Sequence, residues 1–183
     1  ALCNRIDRNT GGIVIAAKTA EGLRVMNQKI RDRELKKYYL CIVHGTLPRP
    51  AGRLEGYILK DEAKKQVTVS SRPRPGAKTA VTLYETLAVR NGLSLVRCQL
   101  ITGRTHQIRA QFAAAGHPLL GDGKYGRERD NKRYGRSFQA LYSYKLTFTF
   151  PTSAGALEYL RGRTFTVDRV DFVEEYFGAP PRG

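Results

Sequence analysis

The chain has 183 residues, enough to bury one core, and carries 32 Lys and Arg against 16 Asp and Glu, a net charge of +16. An excess of that size favours a polyanionic partner. No apolar run approaches the ~20 residues that span a bilayer, and the three histidines and three cysteines lack metal-ligand spacing, so membrane and metal functions are not expected.

The run Ile13-Val14-Ile15-Ala16-Ala17 is continuously apolar and predicts a buried strand. Thr19 suits an N-cap, and Leu23, Met26 and Ile30 then recur at helical spacing, predicting a scaffold helix. Residues 35–43 are rich in aromatic and β-branched side chains and predict a strand ended by Gly45 and Pro48. A further strand is predicted over 67–70, followed by an exposed turn at 72–76. Segments 82–90 and 93–100 flank Asn91-Gly92, a strong signal for a hairpin with a type I′ turn. Residues 104–115 predict a helix stopped by Gly116, and the charged, glycine-rich stretch 121–136 predicts a loop. Strands are predicted over 146–150 and 164–167. A last helix is predicted over 168–177, with Val170, Val173 and Phe177 on one side. No repeat or linker interrupts this order, so the expectation is one α+β domain rather than a doubly wound parallel sheet. Cys3, Cys41 and Cys98 each lie in an apolar, strand-like context, as buried free thiols of a reducing compartment would.

Three segments could carry chemistry. In Asn4-Arg5-Ile6-Asp7-Arg8-Asn9-Thr10-Gly11-Gly12, an inward Ile6 would send Arg5 and Asp7 to the same opposite face, and the glycines permit a sharp turn or close approach. Taken alone, the segment fits a surface loop with local ion pairs better than a site. In Thr102-Gly103-Arg104-Thr105-His106-Gln107-Ile108-Arg109, the predicted helix sets Arg104 and Arg109 roughly 140° apart, too far round to serve one ligand. Arg109 lies beside the packed face of Ile108, Phe112 and Ala115 and would need an acid, for which Asp7 is a candidate. Arg104 is better placed for a phosphate, although spacing alone equally allows both arginines to be solvated. In the strand at 37–45, Tyr39, Cys41 and Val43 share one face and Tyr38, Leu40 and Ile42 the other. Tyr39 could stack on a base or move a proton; a core tyrosine is the plainer reading.

These segments resemble the signatures of the RluA-type family of RNA pseudouridine synthases. The first is similar to that family's H-R-L-D-R-x-T-S-G and the second to its T-G-R-T-H-Q-[IL]-R. Lys37, Tyr39, Cys41, Val43 and Gly45 follow K-x-Y-x-A-x-V-x-G. The stretch Gly116-His117-Pro118-Leu119-Leu120-Gly121-Asp122 to Tyr125-Gly126 resembles G-x-P-[IL]-x-G-D-x-x-Y-G. Asn4, Gly11 and Cys41 stand where the family has His, Ser and Ala, and none of these changes removes a proposed catalytic group. With the intervening strands the similarity covers nearly the whole chain.

The resemblance implies an α+β fold with a mixed, mainly antiparallel central sheet flanked by helices and loops. It implies Asp7 as the catalytic aspartate, Arg109 as its ion-pair partner, Tyr39 as the active-site tyrosine, and Arg5 as the filler of the gap left by a flipped base. Family members normally carry upstream sheet residues, so 1–183 is expected to be a single catalytic domain truncated on its N-terminal side. The implied reaction breaks the N1–C1′ bond of a uridine, turns the base and joins C5 to C1′, without cofactor or metal. Asp7 would act either on C1′ as a nucleophile or at C2′ as a base. The expected partner is structured RNA, ribosomal of the large subunit before transfer RNA, met by a cytoplasmic monomer that flips its target base. RNA contacts are expected from Arg5, Arg8, Arg104 and His106. Further contacts are expected from the charged stretch bearing Lys124, Arg127, Arg129, Lys132, Arg133 and Arg136. The alternative is a non-catalytic RNA-binding module of the same fold; a catalyst needs Asp7, Tyr39 and Arg109 to converge.

Overall fold

The computed structural model describes residues 1–178. Its strands are β1 (Gly11–Gly12), β2 (Leu35–His44), β3 (Ala51–Asp61), β4 (Gln66–Ser70), β5 (Lys78–Arg90), β6 (Leu93–Leu100), β7 (Leu141–Phe148) and β8 (Thr164–Thr166). They form one sheet in the order β1-β7-β2-β6-β5-β3-β4, with β8 also beside β7. Only β1 and β7 run parallel, so the sheet is mixed and mainly antiparallel.

Alternation along β2 builds two cores at once. Tyr39, Cys41 and Val43 face one core, with Val96, Cys98 and Phe112. Leu40 and Ile42 face the other, with Leu93, Leu95 and Val173. The β5–β6 hairpin turns at Asn91 (φ 55°) and Gly92 (φ 78°), the two positive φ values that a type I′ turn demands. Cys41 and Cys98 are free, fully buried thiols whose sulfurs lie 3.8 Å apart. Burial, with Cys98 beside it, pushes the Cys41 thiol well above its ordinary range.

Four helices cover the sheet among the described residues. α1 (Ala20–Arg31) is capped by Thr19, whose hydroxyl accepts from the Gly22 amide at 3.0 Å. Its Met26 packs on Leu146 and Phe148 beside a 3₁₀ turn at Gly155–Leu160. α2 (Gln107–Ala114) lays Ile108 and Phe112 on the Tyr39 face. α4 (Asp171–Phe177) closes the opposite face through Phe172 and Val173. α3 (Glu128–Tyr134) is tied to the far end of β2 by Asn131, which hydrogen-bonds His44 at 2.8 Å. Among the described residues no helix is long and apolar enough to cross a membrane.

Several local expectations need correction, among them Cys3, expected buried and found only half-buried. Residues 13–17 are not a buried strand. They alternate between half-buried and exposed at the sheet margin, with Val14 41% exposed, and pair there with residues 2–4. The helix begins at Gln107, because His106 takes a left-handed conformation (φ 53°); Arg104 lies in the turn before it. The 140° separation of two arginines on one helix therefore does not apply. The stretch 121–136 contains α3, a polar helix with Glu128 and Asp130 in its first turn and Lys132 and Arg133 in its last, matching its dipole. β3 carries no apolar alternation clean enough to announce it. Arg53, Glu55 and Lys60 punctuate it, and Gly52 leaves room for the Tyr84 ring.

Candidate active site

Residues 1–4 lie antiparallel to 15–17, and the chain reverses between them. The Thr10 amide donates to the Asp7 carbonyl at 3.0 Å, with Asn9 left-handed at φ 67°. Asn4 serves this hairpin through its side-chain oxygen, which accepts from the Ile15 amide at 2.7 Å. Buried Gln139 fastens the turn from below, its Nε2 donating to the Arg8 carbonyl (2.6 Å) and Thr10 Oγ1 (3.1 Å). Gly12, at φ 123°, lies so close to β7 that a Cβ would stand 2.2 Å from the Ser143 carbonyl. The backbone contact that seats the turn thus requires glycine there.

Asp7 lines an open cleft of about 480 Å³ together with Arg5, Tyr39, Lys37, Arg104 and His106. Tyr39 reaches it from the middle of β2, where the pairing with β7 shifts by one residue between Tyr38 and Tyr39. Burial raises its phenol above the ordinary range; a hydrogen bond with Ser143 opposes the rise and the Asp7 charge adds to it. Tyr39 is therefore a neutral phenol at neutral pH. The 102–107 turn forms another wall, held by Gln107. Its Oε1 accepts from Thr102 Oγ1 (2.7 Å) and the Arg104 amide (3.0 Å), while its Nε2 donates to Thr82 Oγ1 (2.8 Å) and the Val81 carbonyl (3.0 Å).

Arg109 stands beneath Asp7, but its main partner is Asp122. Arg109 Nε donates to Asp122 Oδ2 at 2.7 Å and one Nη to Oδ1 at 3.0 Å; the other Nη lies 3.8 Å from Asp7 Oδ2. The expected Asp7–Arg109 pair is present at 3.8 Å, and the closer, two-bond partner of the arginine is Asp122, which was not expected. Asp122, fully buried, also accepts from the Lys124 (2.9 Å) and Tyr125 (3.1 Å) amides. Burial works against its ionisation, and the Arg109 and backbone hydrogen bonds outweigh it, holding the carboxyl below its ordinary range. The Tyr125 ring lies 5.2 Å from the guanidinium, and its hydroxyl meets His106 Nδ1 at 2.7 Å. Burial, with Arg109 and Lys124 nearby, outweighs the two carboxylates and lowers the His106 pKa, so its imidazole is neutral at neutral pH.

The structure thus gathers Arg5, Asp7, Tyr39, Arg104 and His106 around one cleft, with Arg109 behind it and Arg8 exposed on the Asp7 turn. Lys124 is turned aside, its Nζ donating to the Lys65 carbonyl at 2.8 Å. Arg127 leads into α3, and Arg129, Lys132 and Arg133 ride on it. That helix sits at His44, roughly 16 Å along the strand from Tyr39 at ~3.3 Å per residue. Arg136 stacks on Phe172 at 5.3 Å and donates to the Phe138 carbonyl at 2.8 Å. Sequence reasoning missed Asp122, Gln107 and Gln139 as supports of the site. A signal existed for Asp122: an Asp after a glycine, positioned to accept from amides two and three residues on, is the mark of an Asx turn.

A profile of the RNA pseudouridylate synthase family matches residues 1–114. The chain belongs to that family. An uncharacterized RNA pseudouridine synthase of Mycoplasma genitalium is 39% identical over 153 residues, covering 80% of this chain and 46% of that protein. Ribosomal large subunit pseudouridine synthase C of Vibrio vulnificus is 31% identical over 86% of this chain and 50% of its own length. Ribosomal large subunit pseudouridine synthase D of Neisseria meningitidis is 33% identical over 86% of this chain and 44% of its own. The chain spans about half the length of these curated relatives. The solved structure of human RNA pseudouridylate synthase domain containing 4 shares the fold, with a TM-score of 0.73 at 24% identity over 93% of this chain and 72% of that one. The α+β reading and the family resemblance both hold.

Proposed function

We propose that this protein isomerises specific uridines of structured RNA to pseudouridine, with large-subunit ribosomal RNA as the substrate. The observation that carries the reading is the meeting of Asp7 and Tyr39 in one cleft, with Arg109 3.8 Å behind the Asp7 carboxylate. The net charge of +16 and the rRNA-directed names of two relatives support the substrate class.

A uridine inside folded RNA must leave its stack to reach the cleft. Arg5, exposed at the cleft wall, is placed to enter the gap it leaves. Asp7 acts at the ribose, as a nucleophile on C1′ or as a base at C2′. The N1–C1′ bond breaks, the freed uracil turns, C5 joins C1′, and the C5 proton leaves while N1 gains one. Arg109 aims Asp7 and stabilises its charge, and Asp122 aims Arg109. Tyr39, as a neutral phenol, stacks on the uracil and guides its rotation; with its pKa raised it stays protonated and offers no phenolate to take the C5 proton.

The test is incubation of the purified protein with unmodified rRNA and tRNA transcripts, followed by mapping of new pseudouridines. The expected result is modification at discrete positions of large-subunit rRNA. Modification of tRNA alone would move the substrate assignment, and none in either RNA would contradict the enzyme reading.

A further inference from the structure

A second depression, of about 750 Å³, adjoins the Asp7–Tyr39 cleft and shares Lys37, Leu100, Gly103 and Arg104 with it. Its other charged lining residues are Arg31 and Arg33, from the end of α1 and the turn beyond it. We propose that Arg31, Arg33, Lys37 and Arg104 form a phosphate site that grips the RNA backbone next to the flipped uridine. This assignment rests on the reading that the chain acts on RNA.

Among the described residues none of these four cations has an ion-pair partner. The acids nearest in sequence are not available to them. Glu34 is buried against Lys29 and Thr152, and Asp32 does not line the depression. Asp7 lines the adjoining cleft with Lys37 and Arg104, but no acid lines the depression itself; like charges gathered there repel, and an anion relieves that repulsion. Burial and the Arg33 charge hold both Lys37 and Arg104 below the ordinary range of their side chains. Arg104 is oriented by one bond, Nε to the Thr79 carbonyl at 2.8 Å, which leaves its terminal nitrogens without partners among the described residues. Lys37 reaches across to the 102–104 turn, where a Cβ on Gly103 would stand 3.0 Å from its ammonium.

The backbone at Arg33 is the most telling feature. α1 ends in a Schellman motif, with the Glu34 amide bonded to the Lys29 carbonyl at 2.9 Å and the Arg33 amide to the Ile30 carbonyl at 3.1 Å. Arg33 occupies the left-handed position of that motif, at φ 57°, where glycine is the favoured residue. Helix termination does not call for arginine here. The side chain does something the backbone does not need, and it borders the phosphate depression.

Arg33→Gly separates the two roles, because it suits the backbone and deletes the charge. The probe is fluorescein-labelled single-stranded oligouridylate, its anisotropy titrated across a range of salt concentrations. We expect affinity to fall about fivefold at 0.1 M salt and the salt slope to drop by about 0.7, the loss of one phosphate contact. The thermal midpoint should stay level or rise. Arg31→Gln should act in the same direction, and Arg169→Gln, on the α4 side, should change neither quantity. Wild-type affinity and slope in both Arg33→Gly and Arg31→Gln would overturn the assignment, even with pseudouridine formation intact. If the wild type forms no pseudouridine while Arg33→Gly still weakens RNA binding, the synthase reading fails and the phosphate site stands.

Discussion

Arg109 binds Asp122 through two hydrogen bonds, at 2.7 and 3.0 Å, and meets Asp7 only at 3.8 Å. The two carboxylates therefore have different work. Asp122 is fully buried and hydrogen-bonded on both oxygens, a fixed anchor. The Asp7 side chain is 25% exposed and faces the cleft. Asp122→Ala strands a buried guanidinium and should cost about 3–5 kcal/mol of stability. Asp7→Ala should cost about 1 kcal/mol or less, as a long, partly solvated pair does. Urea unfolding of both variants checks the contrast; equal losses would mean that Asp7 anchors the arginine as firmly as Asp122 does.

The same pair sets a pH dependence. The Asp122 carboxyl is lowered in the folded state relative to about 3.9 in the unfolded chain. A lowered carboxylate contributes stability that is fully present above the unfolded value and is lost as pH falls through the folded one. The wild type should thus lose stability from about pH 4 downward, while Asp122→Asn, weaker at neutral pH, should lose less over that acid range. Unfolding midpoints between pH 2 and 7, on the order of one point per half unit, give the comparison. Parallel curves would show that Asp122 carries no linkage.

Asp7→Asn keeps the size and removes the charge. Pseudouridine formation should be abolished, because neither attack on C1′ nor proton removal at C2′ is open to a carboxamide. RNA affinity should remain within a few-fold, since the cations around the cleft are untouched. Rapid turnover by the variant would remove Asp7 from the chemistry.

Tyr39→Phe keeps the ring and its stacking face but deletes the hydroxyl. If the hydroxyl guides rotation of the freed base, the single-turnover rate should fall at unchanged RNA affinity. A wild-type rate in this variant would leave Tyr39 a stacking role alone.

Legibility in the sequence followed physical cause. β2, the β5–β6 hairpin and the capped α1 were legible because alternation, Asn91-Gly92 and Thr19 are local signals that tertiary contacts reinforce. α3 was hidden because its support is electrostatic and comes from Asn131 bonding His44 and Gly121, not from an apolar stripe. The later start of α2 was hidden because the left-handed His106 is stabilised by partners distant in sequence, Tyr125 among them. For the site, Asp7, Tyr39 and Arg109 were named from their motifs, and their approach is now seen in space. The Arg109–Asp122 bond was not foreseen. Asp7 was offered as partner because a buried arginine needs an acid and because the resemblance implies the pair; neither argument weighs Asp122, 13 residues on, which bonds the arginine more closely.

Gln139 tests how far catalysis depends on the seat of the Asp7 turn. Its Nε2 spans the Arg8 carbonyl and Thr10 Oγ1, 131 and 129 residues away in sequence, and it is buried without touching the cleft. Gln139→Met has a similar length, fills the same space and supplies no donor. The Arg8 carbonyl and Thr10 hydroxyl then lose their buried partner, a loss of about 1–3 kcal/mol in stability. A turn released by even ~1 Å can carry Asp7 out of reach of the ribose, a displacement that can lower rates by about a hundredfold. We expect single-turnover pseudouridine formation to fall by ten- to a hundredfold, in order-of-magnitude terms, with oligouridylate affinity unchanged. Gln139→Glu should not rescue the turn, because a carboxylate would face the Arg8 carbonyl oxygen with no proton to donate. A Met variant that is less stable yet fully active would show that β1 and Gly12 seat the Asp7 turn without help from Gln139.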